Sequence, residues 1–130
     1  MTQNNINTMS AIVDYLEDGK KLSQALNYVY AKRHVIIPFN EDDMQLPLQT
    51  LGLSNRTQNA LLRYGARTIG DTVRVSTNKE LDRVRNFGHA CGIELFETLL
   101  DYCWDRMDDE HRAAFLIDAV ERNVCNLREA

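Results

Sequence analysis

Apolar residues recur at helical spacing along most of this chain. Residues 22–29 place them at i, i+3, i+4 and i+7, and residues 116–127 carry a second amphipathic stripe. A β-branched run at residues 35–39 is closed by Pro38 and is too short to anchor a sheet, so we predict an extended segment there and leave pairing at a sheet edge open. The pattern as a whole predicts an all-α fold, a compact multi-helix bundle of about seven helices.

Capping residues and glycines mark the helix boundaries in the centre of the chain. Ser54 can accept hydrogen bonds from the first N–H groups of a helix that Gly65 then ends. Thr68 and Asp71 have the spacing of a capping box at the start of a short helix. Residues 77–80 repeat that signature. The sequence therefore predicts successive short helices here, each started by its own cap.

The boundaries of the remaining helices are also marked. Ser10 can cap a first helix that Gly19 ends. Residues 86–88, Asn-Phe-Gly, interrupt the helical pattern before a longer helix that opens near His89. The pair at residues 108–109, Asp-Asp, suits the N-terminus of a last helix through capping and the helix dipole.

Composition suggests one boundary between regions of the chain. Residues 40–45 are acidic and polar and lie between Pro38 and Pro47, which is typical of a linker. The predicted parts are an N-terminal helical extension of residues 1–45, a central module of residues 46–104, and a C-terminal amphipathic helix of residues 105–130 packed on the module.

The apolar stripes of the two additions need a surface to cover them. Packing on the central module is one solution. A homodimer through residues 28–30, Tyr-Val-Tyr, is another that the sequence leaves open.

The net charge of −4 excludes attraction to nucleic acid by bulk charge. Residues 48–102 nevertheless carry a charge of +1, between flanks of −2 and −3, so any contact with DNA must be local. Three cysteines without C-x-x-C spacing indicate a reducing setting rather than a disulfide framework. The sequence has no signal-peptide-like run and no apolar stretch of membrane-spanning length, so we expect a soluble, cytoplasmic protein without membrane attachment.

Catalysis has little support in the sequence. The three histidines, His34, His89 and His111, fall in separate elements, and the sequence shows no metal-ligand spacing, glycine-rich phosphate loop or nucleophile motif. We therefore expect no enzyme activity, no metal and no cofactor.

Residues 51–94 carry an ordered set of motifs. These are a Leu-Ser-x-Arg-x-x-Asn helix ending at Gly65, a Thr-Ile-Gly-Asp turn, a Glu-Leu helix, and an Asn-x-Gly hairpin with a downstream Glu. In order and spacing the set resembles the C-terminal domain of the bacterial RNA polymerase alpha subunit, over about 55 residues. The subunit's large assembly domain has no counterpart in this sequence, so we expect a stand-alone form of the module with added elements at both ends.

The resemblance implies a helical bundle with helix-hairpin-helix-like turns that grips the minor groove of A/T-rich DNA and contacts sigma and activators. Carried over by position, Arg56 would enter the groove and Asn59, on the same helix face, would contact backbone or base edge. The helix start after Gly88, with His89 and Cys91, would face a phosphate. Glu94 falls on the family's acidic position, so the DNA-binding residues implied by the resemblance are Arg56, Asn59, Gly88, His89, Cys91 and Glu94.

The hairpin departs from the family pattern. Where the family has Gly-Lys-Lys-Ser, this sequence has Gly88-His89-Ala90-Cys91, so two cations and a hydroxyl are missing. Arg85, just before the hairpin, can compensate in part, and Gly88, with Gly65 and Gly70, also has a structural interpretation as a positive-φ turn residue.

Two functions therefore stay open. One is a transcription-associated factor that binds A/T-rich DNA, conditionally because of the missing lysines. The other is a protein-interaction module that docks on RNA polymerase, sigma or a regulator without DNA affinity, in which Arg56 and Asn59 are ordinary solvated residues.

Overall fold

The computed structural model describes residues 2–77 and 80–128, and in these ranges the protein is all-α, as the sequence predicts. Seven α-helices and three 3₁₀ helices account for the regular structure there, and no strand is formed. The α-helices are α1 (Gln3–Glu17), α2 (Leu22–Val29), α3 (Glu41–Met44), α4 (Asn55–Tyr64), α5 (Ile69–Thr77), α6 (His89–Asp105) and α7 (Asp109–Arg122). The 3₁₀ helices are Leu48–Leu51, Leu81–Arg83 and Val124–Asn126.

The protein forms two compact units. The terminal unit combines the residues up to Ile37 with those from Cys103 onward, and the central unit runs from Pro38 to Tyr102. The sequence predicted a boundary near residue 45 and two separate additions. In the structure the two ends of the chain share one unit, because their apolar faces cover each other.

The first helix is longer than predicted. The sequence placed its start at Ser10, but α1 begins at Gln3 because the hydroxyl of Thr2 accepts a hydrogen bond from the Asn5 N–H (3.2 Å). Asn5 and Thr8 are buried on the same face as Ile12. Polar residues thus extend the buried face toward the N-terminus, where a search for apolar periodicity does not detect it. Gly19, with φ +85°, follows the helix end as predicted.

Asn123 joins the two ends of the chain inside the terminal unit. Its fully buried amide accepts a hydrogen bond from the His34 N–H (2.6 Å) and donates to the His34 carbonyl (3.0 Å) and to the Ala119 carbonyl (2.7 Å). The segment after α2 is therefore fixed to the C-terminal end of α7.

The last helix begins where the sequence predicts, since Asp108 caps α7 by accepting from the His111 N–H (2.8 Å). Helix α7 packs against α1 in the terminal unit. Its packing on the central module stays a prediction.

Tyr30 and the segment after it also differ from the sequence-based picture. Tyr30 is 2% exposed and its backbone bridges to Leu127, so this side chain is unavailable for the dimer surface considered for residues 28–30. Residues 35–39, predicted to be extended, belong to no strand and no bridge in the described part of the protein.

The predicted linker is an ordered part of the central unit. Residues 41–44 form α3, capped by Asn40, whose side chain accepts from the Asp43 N–H (2.8 Å). Helix α3 packs closely on α5, because a Cβ added to Gly70 would lie 2.8 Å from the Met44 carbonyl oxygen. Gly70 is therefore required for close approach and has no positive φ. An acidic, proline-flanked segment predicts a loop only where no other element of the protein packs against it.

Two of the predicted caps in the central unit are confirmed. Thr68 and Asp71 form a reciprocal capping box: the Thr68 hydroxyl accepts from the Asp71 N–H (3.1 Å), and the Asp71 carboxylate accepts from the N–H groups of Arg67 (2.9 Å) and Thr68 (3.3 Å). Ser54 caps α4, accepting from the Thr57 N–H (3.4 Å), and Gly65 ends that helix with φ +105°. The start predicted from residues 77–80 includes residues 78 and 79, which lie outside the described residues.

Glu94 on α6 completes the cap of α4 from a distance of 40 residues. Its carboxylate accepts from the Ser54 N–H (2.6 Å), from the Ser54 hydroxyl (2.8 Å) and from the Thr57 hydroxyl. The first turn of α4 contains no acidic residue, so the anion that favours a helix N-terminus comes from another helix.

These contacts also set the ionisation of Glu94. Partial burial acts to raise the pKa of the carboxyl, but hydrogen bonds from the Ser54 backbone and from the hydroxyls of Thr57 and Ser54 outweigh it, and the pKa lies below its ordinary value of 4.5. The carboxylate is therefore charged at neutral pH.

A small apolar cluster places the hairpin against α4. Ala60, Val75 and Val84 are buried together, with Leu81 and Phe87 packed on them. Phe87 thus packs on a cluster that includes Ala60 of α4, while Glu94 is hydrogen-bonded to the start of that helix.

Removing the Asn123 amide should destabilise the terminal unit. We expect Asn123→Ala to lower the free energy of unfolding by about 2–4 kcal/mol, because the buried Ala119 carbonyl and the partly buried backbone groups of His34 lose their partner. Urea unfolding followed by the fluorescence of Trp104, in the same unit, measures this. Exposed Asn7→Ala is the control, with an expected change within about 0.5 kcal/mol. Equal losses in both variants would contradict the role of Asn123.

Glu94→Gln should weaken the central unit in a pH-dependent way. At pH 7 we expect a loss of about 1–3 kcal/mol, because neutral hydrogen bonds replace charge-assisted ones. A carboxyl with a lowered pKa contributes stability above its unfolded value of 4.5, and the contribution disappears as the pH falls through the lower folded value. The difference between wild type and variant should therefore shrink below pH 4.5.

Denaturant unfolding followed by circular dichroism at several pH values measures that difference. Glu121→Gln, which removes an exposed charge on α7, is the control and should show no such trend. A Glu94→Gln penalty that is constant with pH would show that shape, and not charge, stabilises the cap.

Candidate nucleic-acid interface

Arg56 and Asn59 lie on the exposed face of α4. The opposite face is formed by buried Thr57, Ala60 and Leu61, so the two predicted residues are directed to solvent on one side of the helix. This placement agrees with the sequence prediction for their positions.

No contact among the described residues explains why an arginine occupies position 56. It is the second residue of α4, where the helix dipole disfavours a cation. Within residues 2–77 and 80–128 its side chain makes no ion pair or hydrogen bond, whereas Arg74 pairs with Asp71 (3.1 Å) and Arg122 with Asp118 (2.8 Å). An exposed, uncompensated guanidinium at a helix start is available for an external anion or a base edge.

The hairpin before α6 is built around Asn86. Asn86 takes the positive φ of the turn, +61°, while the φ of Gly88 is not positive, so the prediction of a positive-φ role for Gly88 is wrong. A Cβ added to Gly88 would meet no atom within 4 Å. Neither conformation nor packing among the described residues requires glycine at this position. What glycine provides here is open access to the backbone.

The start of α6 follows that open backbone. The Gly88 carbonyl accepts from the Gly92 N–H (3.1 Å), so the first N–H groups of the helix, at His89, Ala90 and Cys91, have no carbonyl one turn earlier in the helix. Gly88 has no side chain to cap them. Unpaired N–H groups at a helix N-terminus favour an anion.

The side chains of Cys91 and Glu94 are not available to a ligand at the start of α6. Cys91 is 5% exposed, so only its backbone N–H can serve a ligand at the helix start. Glu94 is engaged with Ser54 and Thr57 of α4. Its observed contacts fix the helix that carries Arg56, and a direct contact between Glu94 and DNA stays a prediction.

Sequence reasoning missed two groups of residues. Ser54 and Thr57 were not recognised as partners of Glu94, because nothing local relates residues 40 apart. Arg63 and Arg83 were not recognised as neighbours of Arg85, with which they line one cleft. The spacing of seven between Arg56 and Arg63, which places both on one helix face, is a signal that could have indicated the first of these arginines.

Other chemistry finds no assembled site in the described ranges. Among these residues no group of three or more His, Cys, Asp or Glu side chains converges as a metal site. The three cysteines form no disulfide: Cys91 and Cys103 are buried and Cys125 is exposed. No helix of the described ranges has the length and apolar character needed to cross a membrane.

Comparison with known proteins shows which family the central unit resembles. Residues 38–101 match the family model that describes the C-terminal domain of the bacterial RNA polymerase alpha chain. DNA-directed RNA polymerase subunits alpha from two strains of Tropheryma whipplei, Twist and TW08/27, are each 35% identical over 66 residues, which is 51% of this protein and 20% of the relative.

The protein thus spans about a fifth of the length of these curated relatives. No solved structure matches it. The family match begins at Pro38, where the central unit begins, and ends at Asp101, next to the last residue of that unit. Residues 38–101 therefore form a domain like the C-terminal domain of the bacterial RNA polymerase alpha chain.

Proposed function

We propose that the central unit binds duplex DNA as part of transcription and that Arg56 enters the minor groove of A/T-rich sequence. The observation that carries the proposal is the exposed guanidinium of Arg56 in the first turn of α4, which has no partner among the described residues. A/T-rich minor grooves are narrow and strongly negative, which favours an inserted arginine. Asn59, one turn further on the same face, contacts the backbone or a base edge.

The start of α6 supplies the second contact of this proposal. A backbone phosphate binds at the N–H groups after Gly88, where the absence of a side chain allows close approach. Glu94 positions α4 through its hydrogen bonds to Ser54 and Thr57. The two contacts then lie on segments that Phe87 and Glu94 hold side by side.

The composition sets the conditions for binding. The protein is acidic overall, and the hairpin has His89 and Ala90 where the family has lysines, so we propose a modest affinity that is strengthened by a protein partner. RNA polymerase, sigma or another transcription regulator is the class of partner we propose. In this role the protein is non-catalytic and acts in the cytoplasm.

Arg56→Ala should weaken duplex binding at least tenfold and reduce the preference for A/T-rich over G/C-rich duplexes, because the arginine no longer fills the groove. Fluorescence anisotropy with both duplexes, across a salt series of about 50 to 200 mM, measures this. Arg67→Ala is the control, since Arg67 is an exposed arginine of the same unit that is not part of α4. Equal binding by the Arg56 variant, or no binding by wild type at low salt, would exclude the proposal and favour docking on a protein without DNA affinity.

Gly88→Ala should weaken duplex binding while it leaves the stability of the protein nearly unchanged. We expect the free energy of unfolding to change by less than about 1 kcal/mol, since the added methyl meets open space and the φ suits alanine. Duplex affinity should fall about tenfold because the methyl group obstructs the phosphate. Gly92→Ala, one turn into α6, is the matched control and should leave affinity unchanged. Intact binding by the Gly88 variant would remove the helix start from the interface.

A further inference from the structure

A cleft of about 430 Å³ opens beside the DNA-binding face of α4. One wall is the C-terminal half of α4 and the other is the segment that leads into the hairpin. The lining residues are Ala60, Arg63 and Tyr64 from α4, and Arg83, Arg85 and Asn86 from the second segment.

The cleft is strongly cationic in an acidic protein. Among its described lining residues, three of six are arginines and none is acidic. Within residues 2–77 and 80–128, the side chains of Arg63, Arg83 and Arg85 form no ion pair and no hydrogen bond. The carboxylates nearest in sequence, Glu80 and Asp82, do not line it.

Helix structure explains only one of these arginines. Arg63 lies in the last turn of α4, where the dipole favours a cation. Arg83 ends a 3₁₀ helix of only three residues and Arg85 belongs to no helix, so a helix dipole does not explain them. Three guanidinium groups around one cleft repel one another, and a bound anion would relieve that repulsion.

We propose that this cleft is a phosphate-binding site. Guanidinium groups bind phosphate oxygens through paired, charge-assisted hydrogen bonds, and Tyr64 and Asn86 add neutral donors. The volume is ample for a phosphate or pyrophosphate group. Apolar ligands are disfavoured, because Ala60 is the one aliphatic side chain among the described lining residues.

The physiological ligand of the site is a backbone phosphate of bound DNA, and this part of the inference rests on the proposed function. Arg56, Asn59 and Arg63 stand at i, i+3 and i+7 on one face of α4. At 1.5 Å per residue, Arg63 lies about 10 Å along the helix from Arg56, which corresponds to about three base-pair steps of 3.4 Å. Arg83 and Arg85 thereby replace, on the other side of the hairpin turn, cations missing at residues 89 and 90.

Two measurements on the full-length protein test the site. The first is an NMR titration with inorganic pyrophosphate, which reports on the arginine Nε–H groups and the Asn86 amide. The second is the salt dependence of duplex binding. The test variant is Arg83→Gln with Arg85→Gln, and the matched control is Arg67→Gln with Arg74→Gln, which removes the same charge outside the cleft.

We expect pyrophosphate to shift the cleft resonances of wild type and of the control, and the test variant to bind it at least tenfold more weakly. The slope of log affinity against log salt concentration should become shallower by about 0.9 for each phosphate that the test variant no longer neutralises. Equal weakening in test and control variants would show that total charge, and not the cleft, attracts the anion, and would overturn the inference.

The outcomes distinguish this inference from the proposed function. Arg56→Ala should lose duplex binding and keep the pyrophosphate shifts. Pyrophosphate binding without any duplex binding by wild type would retain the cleft as a site for free phosphate compounds and exclude the proposed function. A third outcome would exclude the cleft site and leave the proposed function standing. In it, the test variant binds duplex DNA with an unchanged salt slope, and pyrophosphate shifts no cleft resonance of wild type.

Discussion

The carboxylate of Glu94 is the contact on which the candidate interface depends. It accepts hydrogen bonds from the backbone and hydroxyl of Ser54 and from the hydroxyl of Thr57, and so fixes the N-terminus of α4 against α6. Arg56 lies between those two partners in the sequence and is exposed. Because the lowered pKa keeps Glu94 charged at neutral pH, α4 has an anion at its start although its own first turn contains none.

Local charge, and not net charge, governs what this surface can bind. The protein carries −4 overall, yet the arginines of α4 and of the segment before the hairpin lie together on one unit. At physiological salt, charges are screened beyond about 8 Å, so charges in direct contact with a ligand decide binding more than the summed charge does. Recognition by such a surface is short-ranged and sensitive to salt. An acidic composition is therefore compatible with a phosphate-binding face.

The hairpin contains a glycine, Gly88, that neither its conformation nor its packing requires. Asn86 provides the positive φ of the turn, and Gly88 leaves the helix start uncovered. Gly70 is the opposite case, since the Met44 carbonyl lies where its Cβ would be. The same residue type serves access at one position and close packing at the other.

Local sequence determined much of this protein: the all-α class, the caps at Ser54, Thr68 and Asp108, the helix ends at Gly19 and Gly65, and the motif order that identifies the central unit. These features depend on residues a few positions apart, where periodicity and capping act. Tertiary structure alone decided the pairing of Glu94 with Ser54 across 40 residues, and of Asn123 with His34 across 89. It also turned the predicted linker into α3, united the two ends of the chain and assembled the arginine cleft. Such contacts arise when separate helices bury complementary surfaces, and no spacing along the sequence encodes which surfaces meet.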